Sequence, residues 1–449
     1  MDRAIEAAIH RSAYLGLQFL RGRPVGPYLQ QLQRWERLDR AEFVRLTDEL
    51  LRQTLDYAYA TVPLYSSGRW LRALRATDGK QLAAWPILDR RTVKLCGRDL
   101  LSTRRSPATF YRHSSASTGE PLRVAWNPNG AGWGWATEYR SLLWYGVGPG
   151  DRTLLMWGTG HPLQDWVKNC RVFRTKELTS RHLEEAARYL LDRKPRLCMG
   201  LPSALTQLAR HVRENHPRAP ASLVPVAKLG GEQVYPFQRD ELTRHLGARI
   251  METYGCTEVG PIAQQCPAGS MHLMEENVCV EIFKNDEPAA PGEFGDIVVT
   301  SLTNRAMPLV RCKIGDSGSI SDEGCSCGRP HRILTKLVGR AADVFLAADG
   351  TPVHGSTLGW NLRSFLGTQP LGAIRQLLFQ QIDQSHWKVL IESETGFDVK
   401  IATQLEQFVR DTFGQQCAID VERVPVVPRE PSGKFRYYRP AYLRTDPSH

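Results

Sequence analysis

The residues best suited to chemistry lie in the run Met251-Glu252-Thr253-Tyr254-Gly255-Cys256-Thr257-Glu258-Val259-Gly260. A hydroxyl, Thr257, and a carboxylate, Glu258, stand side by side on a turn that Gly255 and Gly260 bracket. Glycine admits backbone conformations and close approaches that a β-carbon forbids. Such a pair can offer one oxygen to a phosphate and two to a hard cation such as Mg²⁺. A second run, Ser114-Ser115-Ala116-Ser117-Thr118-Gly119-Glu120-Pro121, cannot be a core element. Its hydroxyls and bare backbone amides can wrap phosphate oxygens. Gly230-Gly231-Glu232 opens a tight turn at a strand end, and Lys434 follows Gly433 on an irregular tail segment from which it can swing. Taken singly, each of these is more often a plain turn or a solvated lysine. Their weight comes from occurring together.

The cysteines divide into two groups. Cys266-x5-His272 and Cys325-x-Cys327 supply three thiolates and an imidazole, enough for a closed tetrahedral site that would hold structural Zn²⁺, with His331 as a spare ligand. Cys96, Cys170, Cys198, Cys256, Cys279, Cys312 and Cys417 are scattered and read as small core or loop residues. A disulfide framework is not expected in a chain of this length with no export signal.

The elements that must position these residues follow from periodicity. Residues 2–60 carry helical apolar spacing that Pro63 stops, a helical entry spanning 1–62. Helices are expected over Trp133–Trp144, His182–Leu191 and Pro202–Glu214, alternating with strands over Thr153–Trp157, Leu197–Met199 and Val226–Leu229. That alternation implies a largely parallel sheet. Tyr254-Gly255 is expected to break the element that leads into it. From Val278 the pattern turns to β, with strands over Val278–Phe283, Gly295–Thr300 and Leu309–Ile314. Past Arg340 come a hairpin (Arg375–Gln381 with Trp387–Ile391), a helix (Val399–Phe413) and a strand (Ala418–Val424). The fold class is therefore α/β: a large N-terminal layered α/β domain with an attached β region over 1–340, and a small α+β C-terminal lid domain over 341–449.

Composition bounds the rest. A chain of 449 residues exceeds the size at which one core keeps growing, which agrees with two domains. No run of 18 apolar residues occurs, and the start of the chain is not a secretory signal, so a cytoplasmic protein without a membrane span is expected. The net charge of +11 raises a zinc-dependent nucleic-acid binder as a reading. Basic residues are dispersed in short pairs such as Arg90-Arg91, without a basic block or aromatic-interleaved strip, and nucleic acid is ranked last on that ground.

In this order, the motifs SSASTGEP, GGE, YGCTEVGP, LVRCKIGD, VGRAADV and PSGKFR resemble the adenylate-forming superfamily. The likeness is to its phenylacetate–coenzyme A ligase-like branch, which includes the capsular polysaccharide-associated, CapK-like relatives, and it covers about Pro63 to Arg436. What it implies is ATP-dependent activation of a small carboxylic acid as an acyl-adenylate with release of pyrophosphate, then transfer to an acceptor such as coenzyme A. By resemblance, Ser114, Ser115, Ser117, Thr118 and Gly119 form the phosphate loop, and Gly230, Gly231 and Glu232 the turn beside adenine and the acyl pocket. Tyr254 and Gly255 line the nucleotide site, Thr257 touches the α-phosphate and Glu258 holds Mg²⁺. Asp316 binds the ribose hydroxyls with Arg340 beside it, and Lys434 is the mobile lysine that bridges carboxylate and α-phosphate. A homodimer is compatible with the resemblance.

Four departures bear on this. Ala116 stands where glycine is usual and Glu120 where lysine is usual, so the phosphate loop lacks a positive charge; Ala342 stands where an acid is common, and the loop Asp349-Gly350-Thr351-Pro352-Val353-His354 departs from the pattern that helps gate coenzyme A in the ligases it resembles. Acceptors other than coenzyme A therefore stay open at this point: an amine, a hydroxyl, a carrier thiol or an inorganic nucleophile. A rival of another class is a nucleotide-binding scaffold or regulator without catalysis. Glu258, Asp316 and Lys434 together count against it. The aromatics Trp133, Trp135, Tyr139, Trp144, Tyr145 and Trp157 read as core before pocket lining.

Overall fold

A computed structural model describes residues 3–75, 79–114, 122–158, 160–175, 178–338, 344–354, 374–393, 399–429, 434–435 and 437–440. The helical entry comprises α1 (Arg3–Leu20), α2 (Val25–Trp35) and α3 (Arg40–Thr61), followed by α4 (Gly68–Arg75) and α5 (Arg90–Leu95). Asp39 starts α3 by accepting the Glu42 N–H at 2.8 Å, one of the orphan donors of a helix N-terminus. Next come the antiparallel pair β1 (Phe110–His113) and β2 (Arg123–Trp126), then α6 (Pro128–Leu143).

The layered unit alternates β3 (Thr153–Trp157), α7 (Pro162–Val167), β4 (Cys170–Arg174), α8 (Ser180–Arg193), β5 (Leu197–Gly200), α9 (Pro202–Asn215), β6 (Val226–Leu229) and α10 (Pro236–Leu246). Proline at the first turn of α6, α7, α9 and α10 sits where its missing N–H costs nothing. Leu205, Leu208, Ala209 and Val212 on α9 recur at helical spacing and pack with Leu183, Ala186 and Leu190 of α8 against Ala227 and Leu229 of β6. The opposite face of the sheet carries Val226, Leu197 and Met251 against Leu142 on the α6 side.

The β region follows as β7 (Arg249–Cys256), β8 (Gly260–Gln265), β9 (Met271–Leu273), β10 (Val278–Lys284), β11 (Glu287–Pro288), β12 (Gly295–Ser301), β13 (Cys312–Ser321) and β14 (Ile333–Val338). All of these and the parallel strands form one twelve-stranded sheet, ordered β11-β10-β12-β13-β14-β9-β8-β7-β6-β5-β3-β4. Strand β7 is its seam. Up to Glu252 it pairs parallel with β6, and from Thr253 antiparallel with β8. Tyr254-Gly255 therefore does not end the strand, because the new antiparallel partner takes over its hydrogen bonds there. The turn falls at residues 257–259 instead. Similarly, the strand expected to stop at Ile314 runs on through Asp316 to Ser321, paired with both β12 and β14.

The C-terminal part holds a hairpin, β15 (Val344–Leu346) with β16 (Pro352–His354), and a four-stranded sheet of β17 (Ile374–Gln381), β18 (His386–Ser393), β19 (Ala418–Val424) and β20 (Tyr438–Pro440). Helix α11 (Val399–Phe413) packs Leu405, Phe408, Val409 and Phe413 with Phe379 and Trp387 in a separate core. Arg340 and residues 341–343 lie outside the described residues. Among the described residues, no helix is long and apolar enough to cross a membrane.

At Gly255 a β-carbon would stand 2.6 Å from the Gly260 carbonyl oxygen across the turn. Gly255→Ala is expected to cost about 1–3 kcal/mol, the usual range for overpacking at a rigid site, measured by chemical denaturation.

Candidate active site

At the carboxyl ends of the parallel strands lies a cavity of about 1070 Å³. Ser114, Gly230, Gly231, Glu232, Tyr254, Gly255, Thr257, Glu258, Asp316 and Lys434 all line it. Residues from five separate stretches of chain thus meet in one space. Ser115, Ser117, Thr118 and Gly119 lie outside the described residues, as does Arg340. Trp135, Tyr139 and Trp157 also line the cavity, whereas Trp133 packs against α2, where Leu29 and Leu32 share its core. The Trp144 indole donates to Glu36 Oε2 at 2.8 Å.

Neighbouring strands lock the polar groups in place. The Tyr254 hydroxyl donates to Asp316 Oδ2 at 2.8 Å, tying β7 to β13 across the cavity. Trp126 Nε1 donates to the Thr257 carbonyl at 3.1 Å, which pins the turn. Glu258 is only 4% exposed, and its Oε1 lies 3.3 Å from Arg90 Nη1. Arg90 Nη2 reaches Ser114 Oγ at 3.1 Å, and that same oxygen accepts the Leu122 N–H at 2.9 Å. Arg90 therefore joins the carboxylate of one motif to the serine of another.

Sequence reasoning missed Arg90, counting it as dispersed surface charge, because nothing local distinguishes it from its neighbour Arg91. It also missed Arg112, which lines the cavity and lies with its guanidinium carbon 4.5 Å from the Trp126 ring centroid. Burial pushes its pKa down to about 10. The sequence of β1, Phe110-Tyr111-Arg112-His113, carries no local signal that sets this arginine apart.

A second set of contacts joins the C-terminal part to this cavity. Glu232 Oε2 accepts the Ser203 N–H at 3.0 Å; its Oε1 accepts the Ser203 hydroxyl at 3.0 Å and the Phe435 N–H at 2.5 Å. Burial pushes the Glu232 carboxyl up, and the N–H bonds from Phe435 and Ser203 draw it part of the way back. Arg429 donates to Ser203 Oγ at 3.2 Å and to Gln207 Oε1 at 3.3 Å. Tyr437 sits edge-on to Tyr235 at 5.0 Å and takes a hydrogen bond from Gln238 at 3.3 Å. Lys434, beside the clasped Phe435, is carried into the cavity by these contacts.

The four zinc-ligand candidates also converge. One ligand atom each from Cys266, His272, Cys325 and Cys327 all lie within 4.8 Å of one another. Cys266 Sγ is 3.8 Å from Cys325 Sγ, and His272 Nε2 is 3.1 Å from Cys327 Sγ. Sheet order brings them together: β8, β9, β14 and β13 are successive neighbours, so the loops that follow β8 and β13 open at the same place. His272 Nδ1 faces the His331 carbonyl at 3.3 Å, which orients the ring. The spare candidate His331 turns away, its Nε2 lying 3.0 Å from Glu276 Oε2.

Glu276 is fully enclosed between His331 and Arg140 of α6. Burial pushes its carboxyl up, but Arg140 and His331 more than offset this and hold it at about 2 against an ordinary 4.5. A lowered folded-state pKa stabilises the fold above the unfolded value, and that contribution is lost as pH falls from about 4.5 towards 2. Glu276→Gln should cost about 3–5 kcal/mol at pH 7, as expected when one partner of a buried pair is removed. The variant should also show a shallower loss of stability with acid in denaturant titrations between pH 7 and pH 3, by the share that Glu276 contributes.

No family model matches the chain. It is 27% identical over 332 residues to a phenylacetate–coenzyme A ligase of Thermus thermophilus, covering 69% of this chain and 73% of that one. It is 24% identical to its Escherichia coli counterpart over 321 residues, 68% and 72% of the two chains. Protein CapK of Staphylococcus aureus is 21% identical over 246 residues, 54% and 52% of the two chains. Among solved structures, 2-hydroxyisobutyryl-CoA ligase in the postadenylation state superposes with a TM-score of 0.73 at 19% identity, covering 92% of both chains. The same ligase in the thioesterification state scores 0.60 at 18% identity over 91% of both. The chain is thus similar in sequence to phenylacetate–coenzyme A ligases and to CapK, the branch its motifs resemble, and it shares the fold of 2-hydroxyisobutyryl-CoA ligase.

Proposed function

We propose that the protein activates a small carboxylic acid with ATP, releasing pyrophosphate, and passes the acyl group from the adenylate to coenzyme A. The observation that carries this reading is Lys434, held by the Glu232–Phe435 clasp in the same cavity as Thr257, Glu258 and Asp316. Two anions, a carboxylate and an α-phosphate, must meet, and at ~4 Å a pair of unit charges repels by roughly 4 kcal/mol in a protein-like dielectric. A preorganised cation between them lowers that barrier at the point where charge develops. Lys434 is that cation. Thr257 presents its hydroxyl to the same phosphate, and Asp316, steadied by Tyr254, receives the ribose hydroxyls. Ser114 opens the phosphate loop, and Arg90 beside it supports the idea that the charge missing at Glu120 is supplied from α5.

The donor set fits Mg²⁺: a buried carboxylate at Glu258, facing a cavity that phosphate oxygens would enter, is the hard-oxygen environment this ion takes. Bound there, it would neutralise charge on the nucleotide. The C-terminal residues 341–449 serve as the lid. The better superposition on the postadenylation state than on the thioesterification state supports a lid poised for the first step, and its release from Glu232 and Ser203 would open the way for the second.

We also propose that Cys266, His272, Cys325 and Cys327 hold a structural zinc ion. Three thiols and an imidazole supply all four positions of a tetrahedron, leaving none for water. The donor set fits, with His272 oriented through Nδ1 by the His331 carbonyl as metal-bound histidines usually are.

Lys434→Ala should lower acid-dependent pyrophosphate exchange by roughly 10²–10³ while ATP still binds; unchanged exchange would remove the role assigned to this lysine. Metal analysis should find one zinc per chain, and Cys327→Ser should lose it. The melting temperature should then fall by about 5 °C or more, the shift that a couple of kcal/mol produces in a domain of this size.

A further inference from the structure

The nucleotide end of the cavity is marked by Tyr254 on β7 and Asp316 on β13. Sheet order then runs away from it through β6, β5 and β3. On that far side the cavity passes between α6 and the sheet, where Trp135, Leu155 and Met199 give it an apolar wall. Lys228 and Glu138 interrupt this wall. Lys228 is 2% exposed, in a four-residue strand whose every member is buried. By strand alternation it shares the face of Val226, which packs on Leu142 and Tyr145.

The Lys228 ammonium is bonded to Glu138 Oε2, and the other carboxylate oxygen accepts Gln264 Nε2 at 3.1 Å. Both sides of the carboxylate are thus engaged. The ammonium has three N–H groups, and among the described residues its bond is to Glu138. Gln264 Oε1, buried beside the pair, has no hydrogen-bond partner among the described residues. Burial pushes the Lys228 pKa down to about 7, which marks a dry environment. An apolar residue would close this wall at no cost, and buried polar groups left partly unsatisfied call for an explanation. Among the described residues, none of the groups assigned to adenylation is hydrogen-bonded or ion-paired to Lys228.

We propose that the acyl body of the substrate carries an oxygen hydrogen-bond acceptor, a hydroxyl or a second carboxylate, and that the Lys228 ammonium receives it. This rests on the adenylation reading and names the class of acid that reading leaves open. Glu138 is the positioning residue: it holds the ammonium in place without taking the N–H groups that face the substrate. A site built to hydrogen-bond such a group rejects the analogue lacking it far more strongly than an apolar pocket separates two hydrocarbons, because the buried donor is then left unpaired.

The test is acid-dependent pyrophosphate exchange with matched pairs, phenylacetate against 4-hydroxyphenylacetate and hexanoate against adipate. In the wild-type protein the oxygen-bearing member of at least one pair should win by roughly 100-fold or more in kcat/KM, and the pair in which it does so separates a hydroxyl from a carboxylate. In a Lys228→Met/Glu138→Leu double variant, which replaces the pair by hydrocarbon, the preference should fall below about tenfold. Hydrocarbon acids that match or exceed their partners in the wild-type protein overturn the proposal alone, whether or not the variant folds. So does a preference that survives in the double variant. Exchange with none of a wide panel of acids overturns the adenylation reading together with it.

Discussion

Everything in the site hangs on the change of partner along β7. As far as Glu252 this strand belongs to a parallel sheet, whose carboxyl ends open onto a cavity covered by α6. From Thr253 it belongs to an antiparallel sheet, whose hairpin return is the turn bearing Thr257 and Glu258. A parallel strand alone would have to leave the sheet by a long crossover, and an antiparallel one alone would not end at the mouth of an α/β crevice. Joining the two in one strand puts a tight, glycine-flanked turn where a ligand arrives. The close approach of Gly255 to the Gly260 carbonyl shows how little slack the joint has.

Charge is organised around that joint in pairs that cross between elements. Arg90 on α5 reaches Glu258 and Ser114, Tyr254 reaches Asp316, and Glu232 holds the backbone of the residue after Lys434. The last contact matters most for movement. One carboxylate, raised in pKa by burial, binds both Ser203 at the start of α9 and Phe435 of the C-terminal part, so the turn that borders the cavity also holds that segment. Replacing these contacts one by one is a smaller step than breaking a hydrophobic interface, which suits the movement proposed for this segment.

Helix α6 does for the interior what β7 does for the turn. Glycines 130 and 132 let it lie close to its neighbours; a β-carbon on Gly132 would meet Arg23 backbone at 3.0 Å. From it the half-buried Glu138 reaches the buried Lys228 and Arg140 reaches the buried Glu276, two ion pairs on one helix. The first faces the cavity, and the second lies behind the cysteine–histidine cluster through His331. Breaking a buried pair is costlier than never having made one, so each constrains how the helix is seated.

Local pattern was enough for β3, α8, β5, α9 and β6 and for the C-terminal elements Val399–Phe413 and Ala418–Val424, because their apolar periodicity is a property of adjacent residues; the short α7 and β4 between Pro162 and Arg174 were not foreseen. The glycine-rich turns, Lys434 and the Cys/His set were visible for the same reason: their residue types and short spacings carry chemistry by themselves. What the chain could not show is anything settled by a distant partner. Strand β7 continues past Tyr254-Gly255 because β8 arrives to pair with it, and His331 stays out of the cysteine–histidine cluster because Glu276 claims it. Arg90 looks like any surface arginine until folding sets it between Glu258 and Ser114, and Lys228 looks like one more strand residue until α6 covers it. Periodicity is encoded residue by residue, whereas these four outcomes depend on groups far apart in the chain whose meeting only the packed sheet decides.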